Sequence, residues 1–225
     1  MAKLKFSKYN SKLNKMAVEL GLPKSAVVAF NLPAGHTCPF ADKCKSQAHR
    51  ITGKITDGQR VQYRCYAASV ESRFPTVRKS VWHNFELLKG LDTDAIAELI
   101  LKSIPKSTKI VRIHSSGDFY SKAYFLAWVK VAESRSDIQF FAYTKGLQYV
   151  SATKPDNLSL IYSYGGKLDA KLTTEPVSYV VKSFDEAKKL GLPVVCEESM
   201  SDDYTNIVQG RSFALMIHGT QPAKA

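Results

Sequence analysis

The sequence predicts an α/β fold, an incomplete or irregular (β/α) TIM-like barrel with a cysteine-bearing loop after its first strand. Three observations carry that expectation. Short runs of β-branched and aromatic residues recur along the chain, as strands of a parallel sheet buried on both faces should. Segments with apolar residues at helical spacing alternate with them. Too few full helices separate the later runs for a regular eight-fold barrel.

The elements follow in order. Residues 1–25 form a lead-in with a short amphipathic helix over Ser11–Leu20, ended by Gly21-Leu22-Pro23. Residues 26–31, an apolar run closing on Phe30 and Asn31, are the first strand. Residues 32–76 form an insertion holding three cysteines. At its centre Ile51–Gly58 reads as a hairpin, with Asp57-Gly58 as its turn. A helix starts near Cys65, Pro75 ends it or starts another, and residues 77–90 and 93–103 continue at helical spacing. Strands are expected at Lys109–His114, Ile138–Tyr143, Leu158–Tyr162, Val177–Val181, Pro193–Cys196 and Phe213–Ile217. Helices are expected at Ser121–Glu133, near Leu147–Ala152, and over Phe184–Leu190 with Ser183 as cap.

A length of 225 residues suits a single α/β domain spanning 1–225. No apolar run reaches the length of a membrane span, which takes about 18 residues. The basic start, MAKLKFSKYNSKLNK, lacks the apolar centre of a secretory signal. A cytoplasmic protein without membrane contact is therefore expected. A net charge of +12 points toward polyanionic partners: an anionic small molecule or a nucleic acid.

In folds of this kind functional groups collect beyond the C-terminal ends of the strands. That rule selects His114 and Asp118 after the second strand and Tyr143 and Lys145 after the third, as groups that position an anionic substrate or move protons. After the fourth strand, Ser163, Gly165 and Gly166 offer a glycine-rich loop whose bare amides suit an anionic cofactor. Cys196, Glu197, Glu198, His218 and Gln221 follow the last strands. Cys38, Cys44 and Cys65 gather on one polar stretch beyond the first strand, and in a reducing compartment such thiols read as ligands. Three thiolates suffice for a [4Fe-4S] cluster with one open iron, which would make the protein an iron–sulfur enzyme. The alternatives are a zinc-stabilised nucleic-acid-binding module, with His36, His49 or Cys196 as fourth ligand, and a cluster serving only electron transfer or structure.

FNLPAGHTCPFADKC, RCYAASVE, VRIHSSGDFYSKAYFLAWVKVA, FFAYTKG, YSYGG and FALMIHGTQPA, taken together, resemble a phage-associated family named after "gene product 88". The resemblance runs in order from about residue 10 to the C-terminus. It implies a phage origin, a cysteine-based site and work in the host cytoplasm during infection. A more distant likeness is to radical SAM enzymes, which place three cysteines beyond the first strand of a partial barrel. Cys65-Tyr66-Ala67 matches their aromatic residue after the final cysteine, and the likeness would admit S-adenosylmethionine as a cofactor. The twenty-residue gap before Cys65 departs from the tight spacing of that superfamily.

Overall fold

The computed structural model describes residues 2–8, 11–150, 154–195, 200–218 and 221. Its centre is an eight-stranded, mostly parallel sheet. The strands are β1 (Phe6–Ser7), β2 (Val27–Phe30), β5 (Ile110–Ile113), β6 (Gln139–Thr144), β7 (Leu158–Ser163), β8 (Val177–Val181), β9 (Val194–Val195) and β10 (Phe213–Met216). A separate antiparallel pair joins β3 (Ser46–Ala48) to β4 (Ile55–Asp57). The order in the main sheet is β1-β2-β5-β6-β7-β8-β10-β9, with β1 antiparallel to β2.

Alternation along the strands explains the layers. Val28, Phe30, Val111, Ile113, Phe140 and Ala142 point to one face and Val27, Ala29, Ile110 and Phe141 to the other, all buried. The first set packs on three helices: α3 (Pro75–Leu88), α4 (Thr93–Ser103) and α5 (Lys122–Ser134). Trp128 and Tyr124 of α5 are wholly buried there, and each such side chain is worth roughly 2 kcal/mol or more in apolar area. The second set packs on Leu13, Met16 and Ala17 of α1 (Ser11–Glu19) and on Ile207 of α7 (Met200–Val208). Both faces are thus covered, which is why the strands read as continuous apolar runs.

Helix ends follow the chemistry of their caps. Asp92 accepts from the amide of Ala95, Ser121 from Tyr124 and Ser183 from Glu186, opening α4, α5 and α6 (Phe184–Lys189). Pro75 occupies the first turn of α3, directly after α2 (Tyr66–Arg73).

The expected elements reappear with three differences. The sheet order has two free ends, at β1 and β9, so the described residues form no closed barrel. The predicted hairpin is displaced: Ser46 pairs with Asp57 and Ala48 with Ile55, so Asp57-Gly58 leaves the hairpin rather than turning it. Helix α7 was not expected, and the helix near Leu147 is a single 3-10 turn over Leu147–Tyr149. Among the described residues no helix is long and apolar enough to cross a membrane.

Candidate functional site

The C-terminal ends of β5, β6, β7, β8 and β10 open on a cavity of about 480 Å³. The stretch holding the three cysteines and the start of α2 form its other side.

The turn after β5 is locked from several directions. His114 has φ of 73°, a left-handed conformation that a residue with a Cβ adopts at a cost. Its amide still donates to the Phe30 carbonyl at 2.9 Å. The amides of Ser115 and Ser116 donate to Asn31 Oδ1 at 2.9 and 3.1 Å. Gly117, at φ of 90°, leaves no room for a side chain: a Cβ would stand 2.7 Å from Thr37 Oγ1 and 2.8 Å from Leu32 Cβ.

Glu71 of α2 ties this turn to the cysteine stretch. Its Oε1 accepts from the amide of Ala34 at 2.8 Å and contacts Ser116 Oγ at 2.6 Å. Ser116 Oγ also lies 2.7 Å from the Leu32 carbonyl. One hydroxyl proton cannot serve both acceptors at once, and a proton on Glu71 would supply the second bond; Glu71 Oε2 is buried with no hydrogen-bond partner. Burial pushes the Glu71 carboxyl up to about 7, against the pull of Ser116, the Ala34 amide and Arg78.

Asp118 joins two strand ends. Its Oδ1 accepts from the Phe119 amide and Thr144 Oγ1, both at 2.7 Å, and its Oδ2 accepts from the Lys145 amide at 2.9 Å. Burial raises its carboxyl, while those three bonds hold it down. Lys145 Nζ donates to Ser163 O and Oγ at 2.7 Å each and to Tyr164 O at 3.0 Å. All three ammonium protons are therefore used. The amides of Gly165 and Gly166 donate to Asp169 Oδ2 and Oδ1, both at 2.9 Å. The expected anion cradle is occupied by the chain's own carboxylate, and neither glycine lines the cavity.

The opposite wall differs. Arg112 lies with its guanidinium 5.2 Å from the Tyr143 ring centre and 3.9 Å from Asp203 Oδ2. Tyr143 donates its hydroxyl proton to the same Oδ2 at 2.9 Å. Three buried polar atoms of cavity-lining residues have no hydrogen-bond partner: Arg112 Nε, Asp203 Oδ1 and His114 Nδ1. Other buried polar atoms among the described residues also have no partner, but these three are the ones that share a cavity. His114 Nε2 lies 2.8 Å from the wholly buried hydroxyl of Tyr124, and burial pushes the imidazole down to about 3. The ring is neutral at physiological pH. With Tyr124 donating to Nε2, the ring proton resides on Nδ1.

Cys38, Cys44 and Cys65 all line the cavity and are free of disulfides. Cys38 and Cys44 lie between β2 and β3, and Cys65 is the residue before α2. Burial pushes the Cys38 thiol well up, with Asp118 and the two other thiols adding to the effect. Burial and Cys44 push Cys65 up to about 11. Among the described residues no group of three or more His, Cys, Asp or Glu is placed to hold a metal ion. That finding overturns the expected [4Fe-4S] protein built on Cys38, Cys44 and Cys65, and equally the zinc module. His36 is not near the thiols' cavity; it packs on Trp82 and Phe85, with ring centres 4.7 and 4.8 Å away. His49 accepts from the Thr52 amide on an exposed turn. Cys196, Glu197 and Glu198 lie outside the described residues.

His114, Asp118, Tyr143, Lys145 and Ser163 do line one cavity, together with His218. Gln221 sits behind it, accepting from the Arg64 amide at 2.8 Å. Arg112, Asp203, Tyr63 and Tyr66 were missed. A charged Arg112 inside the apolar run of β5 was the available signal; the polar helix carrying Asp203 offered none.

The Gene product 88 family model matches residues 4–224. The Gene 88 protein of Mycobacterium phage D29 is 34% identical over 158 residues, 62% of this chain and 66% of that protein. The Gene 88 protein of Mycobacterium phage L5 is 31% identical over 179 residues, 72% of this chain and 68% of that protein. The chain thus spans about two thirds of the length of these relatives. No solved structure matches it.

Proposed function

The chain belongs to the gene product 88 family, and we propose that it is a phage protein that binds a small anionic molecule with an apolar body at the C-terminal ends of its parallel strands. The observation that carries this reading is the pair of unpartnered buried nitrogens, Arg112 Nε and His114 Nδ1, around one cavity; the unpartnered Asp203 Oδ1 calls for a hydroxyl or amino group on the same ligand. Four cationic side chains (Lys12, Arg64, Arg112 and Lys145) and two carboxylates (Asp118 and Asp203) line it, so positive charge is in excess. Arg64 is engaged by Asp57 at 2.6 Å, Lys145 by Ser163 and Lys12 by His218 at 3.5 Å; Arg112 is paired with Asp203 at 3.9 Å but keeps an unpartnered Nε, which makes it the natural seat of the anion. Tyr143, Val180, Val195, Leu215 and Ile217 supply an apolar wall for the rest of the ligand. A cavity of about 480 Å³ is within the range of small-molecule sites. His114 Nδ1–H is a neutral donor beside it, able to orient a ligand oxygen. No helix spans a membrane among the described residues, in keeping with work in the cytoplasm of an infected host.

The test is thermal unfolding with adenosine 5′-monophosphate, phenyl phosphate and uncharged adenosine. At a hundredfold excess over Kd the two anions should raise the midpoint by about 5 °C or more, and adenosine much less. Arg112→Met should abolish the difference. If neither anion shifts the midpoint, or both still shift it in Arg112→Met, the reading is wrong.

A further inference from the structure

A second, smaller hollow of about 270 Å³ adjoins the main cavity and shares Tyr63, Val180 and Ile217 with it. Its walls have a distinct chemistry. Tyr164 and Tyr179 lie face to face with ring centres 4.7 Å apart and planes at 31°. Lys43 Nζ stands 4.5 Å over the Tyr164 ring. Lys182 and Leu190 are exposed on the rim. Glu186 is there too, its Oε2 accepting from the Lys182 amide at 2.7 Å.

A tyrosine pair on a sheet can simply cover apolar neighbours. Here both rings are only half buried, and a lysine rather than an aliphatic group covers Tyr164. Stacked aromatics interleaved with cations are what bases and phosphates need together: each base has a π-face, and each linking phosphate needs a positive partner. The hollow and the anion cavity share three lining residues and so lie side by side, within reach of two successive units of one chain-like ligand.

On the reading of the main cavity given above, we propose that its ligand is a nucleotide at the end of a single strand, with the adjoining base held against Tyr179, which Tyr164 backs, and the linking phosphate beside Lys43. The net charge of +12 suits such a polyanion.

The experiment is isothermal titration with adenosine 5′-monophosphate, the 5′-phosphorylated dinucleotide pApA, in ribo and deoxyribo forms, and octa-adenylate. The dinucleotide should bind at least about tenfold more tightly than the mononucleotide, as one added stacked base implies. Tyr164→Ala with Tyr179→Leu should remove that gain and leave the mononucleotide unchanged. Lys43→Gln, which leaves both rings in place, should weaken pApA and flatten its dependence on salt. Equal binding of mono- and dinucleotide by the native protein, or a gain that survives the tyrosine double variant, would overturn the second subsite while leaving the anion cavity standing. If no probe binds at all, both readings fall. The ribo and deoxyribo forms tell which sugar the site accepts.

Discussion

Two walls of one cavity are built on opposite terms. On the side of β6 and β7, Asp118 accepts three hydrogen bonds and Lys145 gives three, and the glycine amides beyond are held by Asp169. On the side of Arg112, His114 and Asp203, three buried polar atoms have no partner. The saturated wall is scaffold: its charges are consumed in fixing strand ends. The unsaturated wall is where a ligand has something to gain. Charge alone did not distinguish them, since each wall holds one cation and one carboxylate close together.

The contrast can be broken most severely on the saturated side. Asp118→Ala strands Thr144 Oγ1 and two amides in the interior and should lower unfolding free energy by about 3 kcal/mol, read by chemical denaturation. A tolerated alanine there would show that the bonds of Asp118 are incidental. Gly117→Ala should cost about 2 kcal/mol, because it adds a Cβ at positive φ against Leu32 and Thr37.

A pH titration sharpens the comparison further. The folded-state value of Glu71 lies near 7, above its ordinary 4.5, so its contribution is fully present below pH 4.5 and is lost as pH rises through 7. Glu71→Gln, which mimics the protonated form, should flatten the stability profile across that window by on the order of 1–2 kcal/mol. An unchanged profile would show that Glu71 is ionised in the fold. The smallest effect on stability belongs to the other wall: Arg112→Met removes anion binding and takes from buried Asp203 an ion pair of 3.9 Å, but the Tyr143 hydroxyl stays on that carboxylate, so the cost should be about 1 kcal/mol. A large destabilisation would mean that Arg112 is scaffold too.

Much of the fold was legible because the sheet is covered on both faces. Val27-Val28-Ala29-Phe30 must be apolar at every position, and so stands out as a run. Helix α7 carries few apolar anchors, Ile207 and half-buried Tyr204 among them, and its sequence reads as a loop. The gathering of His114, Asp118, Tyr143 and Lys145 followed from the strand-end rule. Their roles did not, because whether a carboxylate is saturated depends on Thr144 and on amides brought in by another strand. The cysteines failed for a related reason. Spacing shows that Cys38, Cys44 and Cys65 are near in sequence, but how they are arranged in space is set by the loop, the strand ends and α2, and among the described residues that arrangement makes no group placed to hold a metal ion.

The place of β10 sets a timetable for making this protein. It lies between β8 and β9, and among the described residues β9 pairs with no other strand. As the chain leaves the ribosome, β8 and β9 emerge with an empty slot between them, and β9 has no hydrogen-bonding neighbour until residues 213–216 arrive. The sheet cannot be finished from its edge inward; it closes by insertion. Until then β8 presents an open ladder to any passing strand, and the wall formed by Leu215 and Ile217 does not exist.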